Sequence, residues 1–208
     1  MTDHEFPFVH TLLEARLQNH LKDALRFVST LSEEDVLQCD NACLTEIIRQ
    51  FAVAAPVLRT DIMETDKRII ESTYLVSEQT TGHSLHSVFV PVEREARWLE
   101  EVDRQTAPDG KPLAFLDRER NRIVMRLVVA PEDGEGTLKR KVDDRTSPLE
   151  QYGASVTEKI IDFNKELTAR IWRRLWREEK LLLLRGGRSR KRLAFHKFIA
   201  QSTKKWFY

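Results

Sequence analysis

Tyr152, Val156, Ile160, Phe163, Leu167, Ile171 and Leu175 recur at intervals of 4, 4, 3, 4, 4 and 4 residues. Side chains three or four positions apart share one face of an α-helix, so this spacing predicts a single apolar stripe. The expected helix covers 149–184, about 50 Å at roughly 1.5 Å per residue. An apolar face that long has to be buried against the earlier chain, a second copy, or both. Ile160, Phe163, Leu167 and Ile171 form the middle of this packing seam, and Gly186-Gly187 ends the helix.

Before residue 82 the same period dominates. Val9, Leu12, Leu13, Leu21, Leu25 and Val28 predict a helix over 6–29. Ser32 followed by Glu33, Glu34 and Asp35 reads as a helix start, because a side-chain oxygen satisfies free amides and acids favour the positive helix end. Leu44, Ile47, Ile48 and Phe51 form a further stripe that stops near Pro56. Thr60 or Asp61 is placed to cap a third helix reaching Glu78, with Ile62, Asp66, Ile69, Ile70 and Thr73 on its turns. After Gly82 the period shortens. Ser84–Val92 alternates, and Leu113–Leu116 and Arg122–Val129 read as strands joined by a polar turn at 117–121. The expectation is a single α+β domain over 1–184. It comprises a helical bundle (6–78), a small antiparallel sheet (83–130) and the long helix (149–184), with a basic tail at 185–208.

Charge is sorted along the chain. Lys and Arg number 34 and Asp and Glu 33, yet residues 170–208 hold thirteen basic groups against only Glu178 and Glu179. The remaining 169 residues carry the complementary acidic excess. Such asymmetry points to a partner or to self-association. Lys and Arg neutralise phosphates and release counterions, and aromatic rings stack on unpaired bases. Arg173, Arg174 and Arg177 flank Trp172 and Trp176, and Arg188, Arg190, Lys191, Arg192, Lys204, Lys205 and Trp206 continue the pattern. These are the candidate anion or nucleic-acid contacts. The competing reading puts the tryptophans in the core and the tail on the acidic body, within the chain or between copies. Expected partners are therefore another protein or a second copy, giving a homo-oligomer, or nucleic acid.

Other chemistry finds little footing. The longest uncharged apolar stretches, 51–58 and 181–184, fall short of the roughly 20 residues a membrane span needs. Cys39 and Cys43 would lie on one helical face as unbridged thiols, which with the absence of a signal pattern reads as a reducing cytoplasm. With His83 and His86 they make a poor zinc set, since His-x2-His is too short for the usual pair. Asp109, Asp117 and Glu119 imitate the acids of a metal-dependent nuclease, but Arg118 and Arg120 surround Glu119 and a turn explains Asp109-Gly110 better. No phosphate loop, dinucleotide fingerprint, nucleophile elbow or zinc-protease motif occurs, so no cofactor is expected.

Leu85–Val92 and Ile160–Leu167, the latter leading into Arg173-Arg174, resemble the N-terminal non-catalytic scaffold region of bacterial multidomain phage-defence effectors. The likeness spans about residues 60–184 and rests on the order of elements. It implies a scaffold or sensing role and carries over no catalytic residue. The chain departs from the pattern at Arg185-Gly186-Gly187-Arg188, where an effector domain would begin. The leading expectation is a non-enzymatic interaction module that self-associates through the long helix and presents a basic C-terminal surface. A nucleic-acid-binding protein comes second, and a defence-effector component or metal-dependent nuclease third.

Overall fold

In a computed structural model the chain is an α+β protein, described here for residues 11–69, 83–99, 114–133 and 135–185. It divides into two compact units, each built from discontinuous stretches of chain. Among the described residues one holds 11–13 with 54–157 and the other 14–53 with 158–185. The long helix α4, Glu135–Leu184, contributes its first part to one unit and its second part to the other.

The first unit is built on a five-stranded antiparallel sheet. Its strands are β1 (Val57–Leu58), β2 (Glu64–Ile69), β3 (Ser84–Glu93), β4 (Ala114–Asp117) and β5 (Arg122–Val129). The order is β1-β3-β5-β4, and β2 lies along β3 beside β1. Alternation places His86, Val88, Val90 and Val92 of β3 on the buried face with Ile123, Met125, Leu127 and Val129 of β5. Leu149, Tyr152 and Val156 of α4 are buried in the same unit. Gly153 sits where a Cβ would come within 2.7 Å of Leu58 Cδ1, so the glycine lets that leucine lie against the helix. The β4–β5 turn ends at Asn121, whose φ of 53° an asparagine tolerates and whose amide donates to Val92 O and Arg94 O at 2.8 and 3.0 Å.

Two expectations change here. The third helix over 60–78 is absent: Thr60–Ile62 is a single 3-10 turn and Glu64–Ile69 is strand β2. Residues 70–78 lie outside the described residues. The local helical period lost to backbone pairing, since Glu64 to Ile69 are each matched with a β3 residue from Phe89 back to Ser84. The exposed charges of an edge strand mimic a solvated helix and also discourage further pairing. The long helix, in turn, begins at Glu135 rather than 149 and runs through Pro148. Proline at a predicted first turn is a common helix start. Here the preceding turns are anchored instead by Lys141, whose ammonium donates to Val128 O at 2.9 Å and meets Asp133 at 3.2 Å.

The second unit is helical. α1 (Thr11–Ser29) buries Leu17, Leu21, Ala24 and Val28, and α3 (Asn41–Phe51) buries Leu44, Ile47 and Ile48. Between them α2 (Glu33–Gln38) starts on the expected cap: Ser32 Oγ accepts from Asp35 N while Asp35 accepts from Ser32 N, each at 3.1 Å. Ile160, Phe163, Leu167, Ile171 and Leu175 of α4 complete the core, none more than 5% exposed. Asn164 fastens this helix to the chain leaving α3. Its carboxamide accepts from Val53 N at 3.0 Å and donates to Val53 O at 2.9 Å, both buried.

Cys39 and Cys43 form a disulfide, not the free pair on one helix that their spacing suggested. The chain breaks between them. Cys39 and Asp40 are extended, Asp40 caps α3, and the two Cα atoms stand 5.3 Å apart across the corner, within disulfide reach. This pairing removes the free thiols on which the reducing-cytoplasm reading rested. No helix among the described residues is long and apolar enough to cross a membrane.

Two outcomes follow from these contacts. Asn164→Ala strands a buried N–H and a buried C=O at about 1–3 kcal/mol each, so urea unfolding should show a loss of about 3 kcal/mol. Thiol titration of the denatured protein should find none free before reduction and two after it, with reduction costing about 2 kcal/mol of stability.

Candidate functional site

The second half of α4 has one side committed to the core and another left to solvent. Arg170, Arg173, Arg174 and Arg177 are spaced so that they crowd adjoining turns, and with Leu25 of α1 they line a cleft of about 270 Å³. The seam residues Ile171 and Leu175 lie between these arginines in sequence and are fully buried. Neutralisation is partial. Arg170 pairs with Glu166 at 2.8 Å and Arg174 with Glu178 at 3.0 Å, each one helical turn away. Arg173 and Arg177 are exposed and have no acidic partner among the described residues. The Nε of Arg174 is buried and makes no hydrogen bond.

Beside this cleft the same helix carries a ladder of rings. Trp172 and Trp176 stack with centroids 5.9 Å apart and planes 12° from parallel. Lys180, one turn further on, holds its ammonium 5.3 Å from the Trp176 ring centre. Trp176 is 45% exposed, so it is not a core residue as the competing sequence reading held. Arg173, Arg174 and Arg177 thus share one cleft, which Arg170 and Leu25 also line, while Lys180 lies against Trp176. Arg188, Arg190, Lys191, Arg192, Lys204, Lys205 and Trp206 lie outside the described residues.

The packing seam is buried within one chain. Ile160, Phe163, Leu167 and Ile171 are buried inside the helical unit, where Phe163 meets the His20 ring at 6.0 Å. They have no surface left to offer a second copy.

The sheet unit carries a second hollow, which sequence reasoning missed. On the face opposite its core, Phe89, Phe115, Arg122 and Arg126 line a depression of about 500 Å³. The Arg122 guanidinium lies 3.9 Å over the Phe89 ring and that of Arg126 lies 5.5 Å over Phe115. Among the described residues of the lining, Glu64, Asp66 and Asp117 stand against Arg120, Arg122 and Arg126. No signal along the sequence brings these residues together; the strand register does.

Asp117, a candidate nuclease acid, serves the hairpin. Its carboxylate accepts from Arg122 Nε at 3.0 Å and from Arg120 N at 3.2 Å. Partial burial pushes this carboxyl up, and the Arg122 hydrogen bond, with help from Arg120, more than reverses that and holds it below the ordinary value. Glu119 is exposed in the turn, and Asp109 lies outside the described residues. Among the described residues no cluster of His, Cys, Asp and Glu could hold a metal ion. Cys39 and Cys43, bonded to each other, offer no thiolates, and His86 is hydrogen-bonded to Ser84 at 2.9 Å.

No protein-family model matches the chain, and no curated protein or solved structure matches it.

A carboxyl held below its unfolded value contributes stability above the unfolded value and loses it as pH falls through the folded one. Asp117→Asn should thus lower stability by about 1 kcal/mol at neutral pH, with wild type and variant converging in thermal melts below about pH 4.

Proposed function

We propose that this protein is a binding module, not a catalyst, and that it grips nucleic acid through the arginine face of α4. One observation carries the reading: four guanidinium groups line a single open cleft, and two of them have no carboxylate partner among the described residues. Arg173 and Arg177 stand one turn apart, about 6 Å along the axis, each with a rigid fork of donors suited to phosphate oxygens. Each phosphate contact releases condensed counterions, and this entropy gain supplies affinity without regard to base sequence. The hollow on the sheet has as many acids as arginines among its described lining residues. The extra cations of 186–208 belong to the same charge pattern.

A protein partner or a second copy is the second reading. It is favoured by the apolar end of α4, where Leu184 is 76% exposed and Leu181 and Leu183 also face solvent. Removal of these three leucines by Leu→Ser would then shift sizing chromatography toward monomer, whereas nucleic-acid binding would be unaffected.

Anisotropy titration of labelled DNA tests the first reading. Four phosphate contacts predict affinity falling roughly 100-fold between about 50 and about 200 mM salt. Arg173→Glu with Arg177→Glu should weaken binding at least about 10-fold and flatten the salt slope. Binding indifferent to salt, or unchanged by the charge reversals, would remove this proposal.

A further inference from the structure

Phosphate contact alone does not separate a duplex from a single strand, but the ring ladder beside the arginines does. Trp172, Trp176 and Lys180 occupy three successive turns of α4, with Trp172 stacked on Trp176 and the Lys180 ammonium set against the Trp176 ring. Leu175, the neighbour of Trp176 in sequence, is fully buried, while Trp176 itself is 45% exposed. The Trp176 ring therefore lies outside the core, near Arg173 and Arg177 on the helix, with Trp172 stacked against it from the preceding turn and a flexible lysine from the following one.

We infer that the arginine face takes single-stranded nucleic acid, with an unpaired base stacking on Trp176 in the place now held by Lys180. This rests on the nucleic-acid reading of the same cleft. Replacement of the lysine is favourable on both sides of the exchange. An exposed cation–π contact holds its partner by a factor of about two to five, whereas stacking a base on an aromatic ring adds about 5- to 150-fold in affinity. The displaced ammonium is then free to reach a phosphate, so its attraction is redirected and the charge count of the interface rises by one. Paired bases already stack within the helix and present no free face to Trp176. A duplex therefore meets only the arginines.

The full chain is titrated with labelled oligothymidylate and with its duplex of equal length, at one salt concentration, following anisotropy and intrinsic tryptophan fluorescence. The single strand should bind about 10-fold or more tightly than the duplex and quench fluorescence. Trp176→Ala should abolish that preference and the quench, the loss of affinity being about 10-fold greater for the single strand than for the duplex. Trp176→Phe, which keeps a ring, should retain part of the preference. A far-ultraviolet spectrum identical to wild type confirms that either variant is folded. Equal affinity for strand and duplex, or equal losses for both in Trp176→Ala, would overturn this inference and leave phosphate binding by the arginines standing. Binding to neither would overturn both.

Discussion

Burial of the α4 seam is the interaction on which everything else depends. Leu149, Tyr152 and Val156 are buried in the sheet unit, and Ile160 to Leu175 in the helical one, so a single helix supplies core to both. Each such side chain is worth about 1.5–3 kcal/mol when taken from water, which fixes the rotation of the helix about its axis. With that rotation fixed, the residues between the seam positions have only solvent to face. Arg173, Trp176 and Arg177 are outward because Ile171 and Leu175 are inward. The same commitment excludes the seam from any contact between copies, since one apolar surface cannot be buried twice.

The helix period was readable from Tyr152 to Leu175 because those residues meet an apolar environment at every turn. It was unreadable over 135–148. There Leu138 and Val142 are only half-buried, and Gly136 and Pro148 carry opposite signals. The Ser32 cap was legible because it is local: two residues, three positions apart, contain all its donors and acceptors. Strand β2 was not, because its cause is β3, and Ile69 pairs with Ser84 across residues that share no local pattern. The disulfide was missed for a related reason. Four-residue spacing implies a helix only if the helix is unbroken, and Asp40 breaks it by capping α3.

For the candidate site, residue type was legible and balance was not. Arg173, Arg174 and Arg177 are equivalent in a charge count. Their difference comes from which helical neighbour is acidic: Glu178 lies four residues beyond Arg174, and Glu166 four before Arg170. Leu25 closes the cleft from α1, which only tertiary packing brings near. The acids at 117 and 119 looked like a catalytic pair because nuclease sites and hairpin turns both concentrate carboxylates. Arg122, cross-strand from Asp117, decides between them by claiming that carboxylate.

The two hollows make the wider point that charge imbalance, not charge, marks a surface open to a charged ligand. The sheet hollow has three arginines, yet Arg122 is held between the Phe89 ring and Asp117, and Glu64 and Asp66 stand on the neighbouring edge strand. A ligand entering there would have to displace contacts already made. On α4 the lining of the cleft contains no acid among the described residues, and Glu166 and Glu178 from adjoining turns engage Arg170 and Arg174. Two cations separated by one turn keep their hydration until something anionic arrives, and exchanging that water and its counterions costs little at an exposed site. The basic excess of residues 170–208 is thereby narrowed to a pair of side chains, with a stacked ring beside them, that can be removed one at a time.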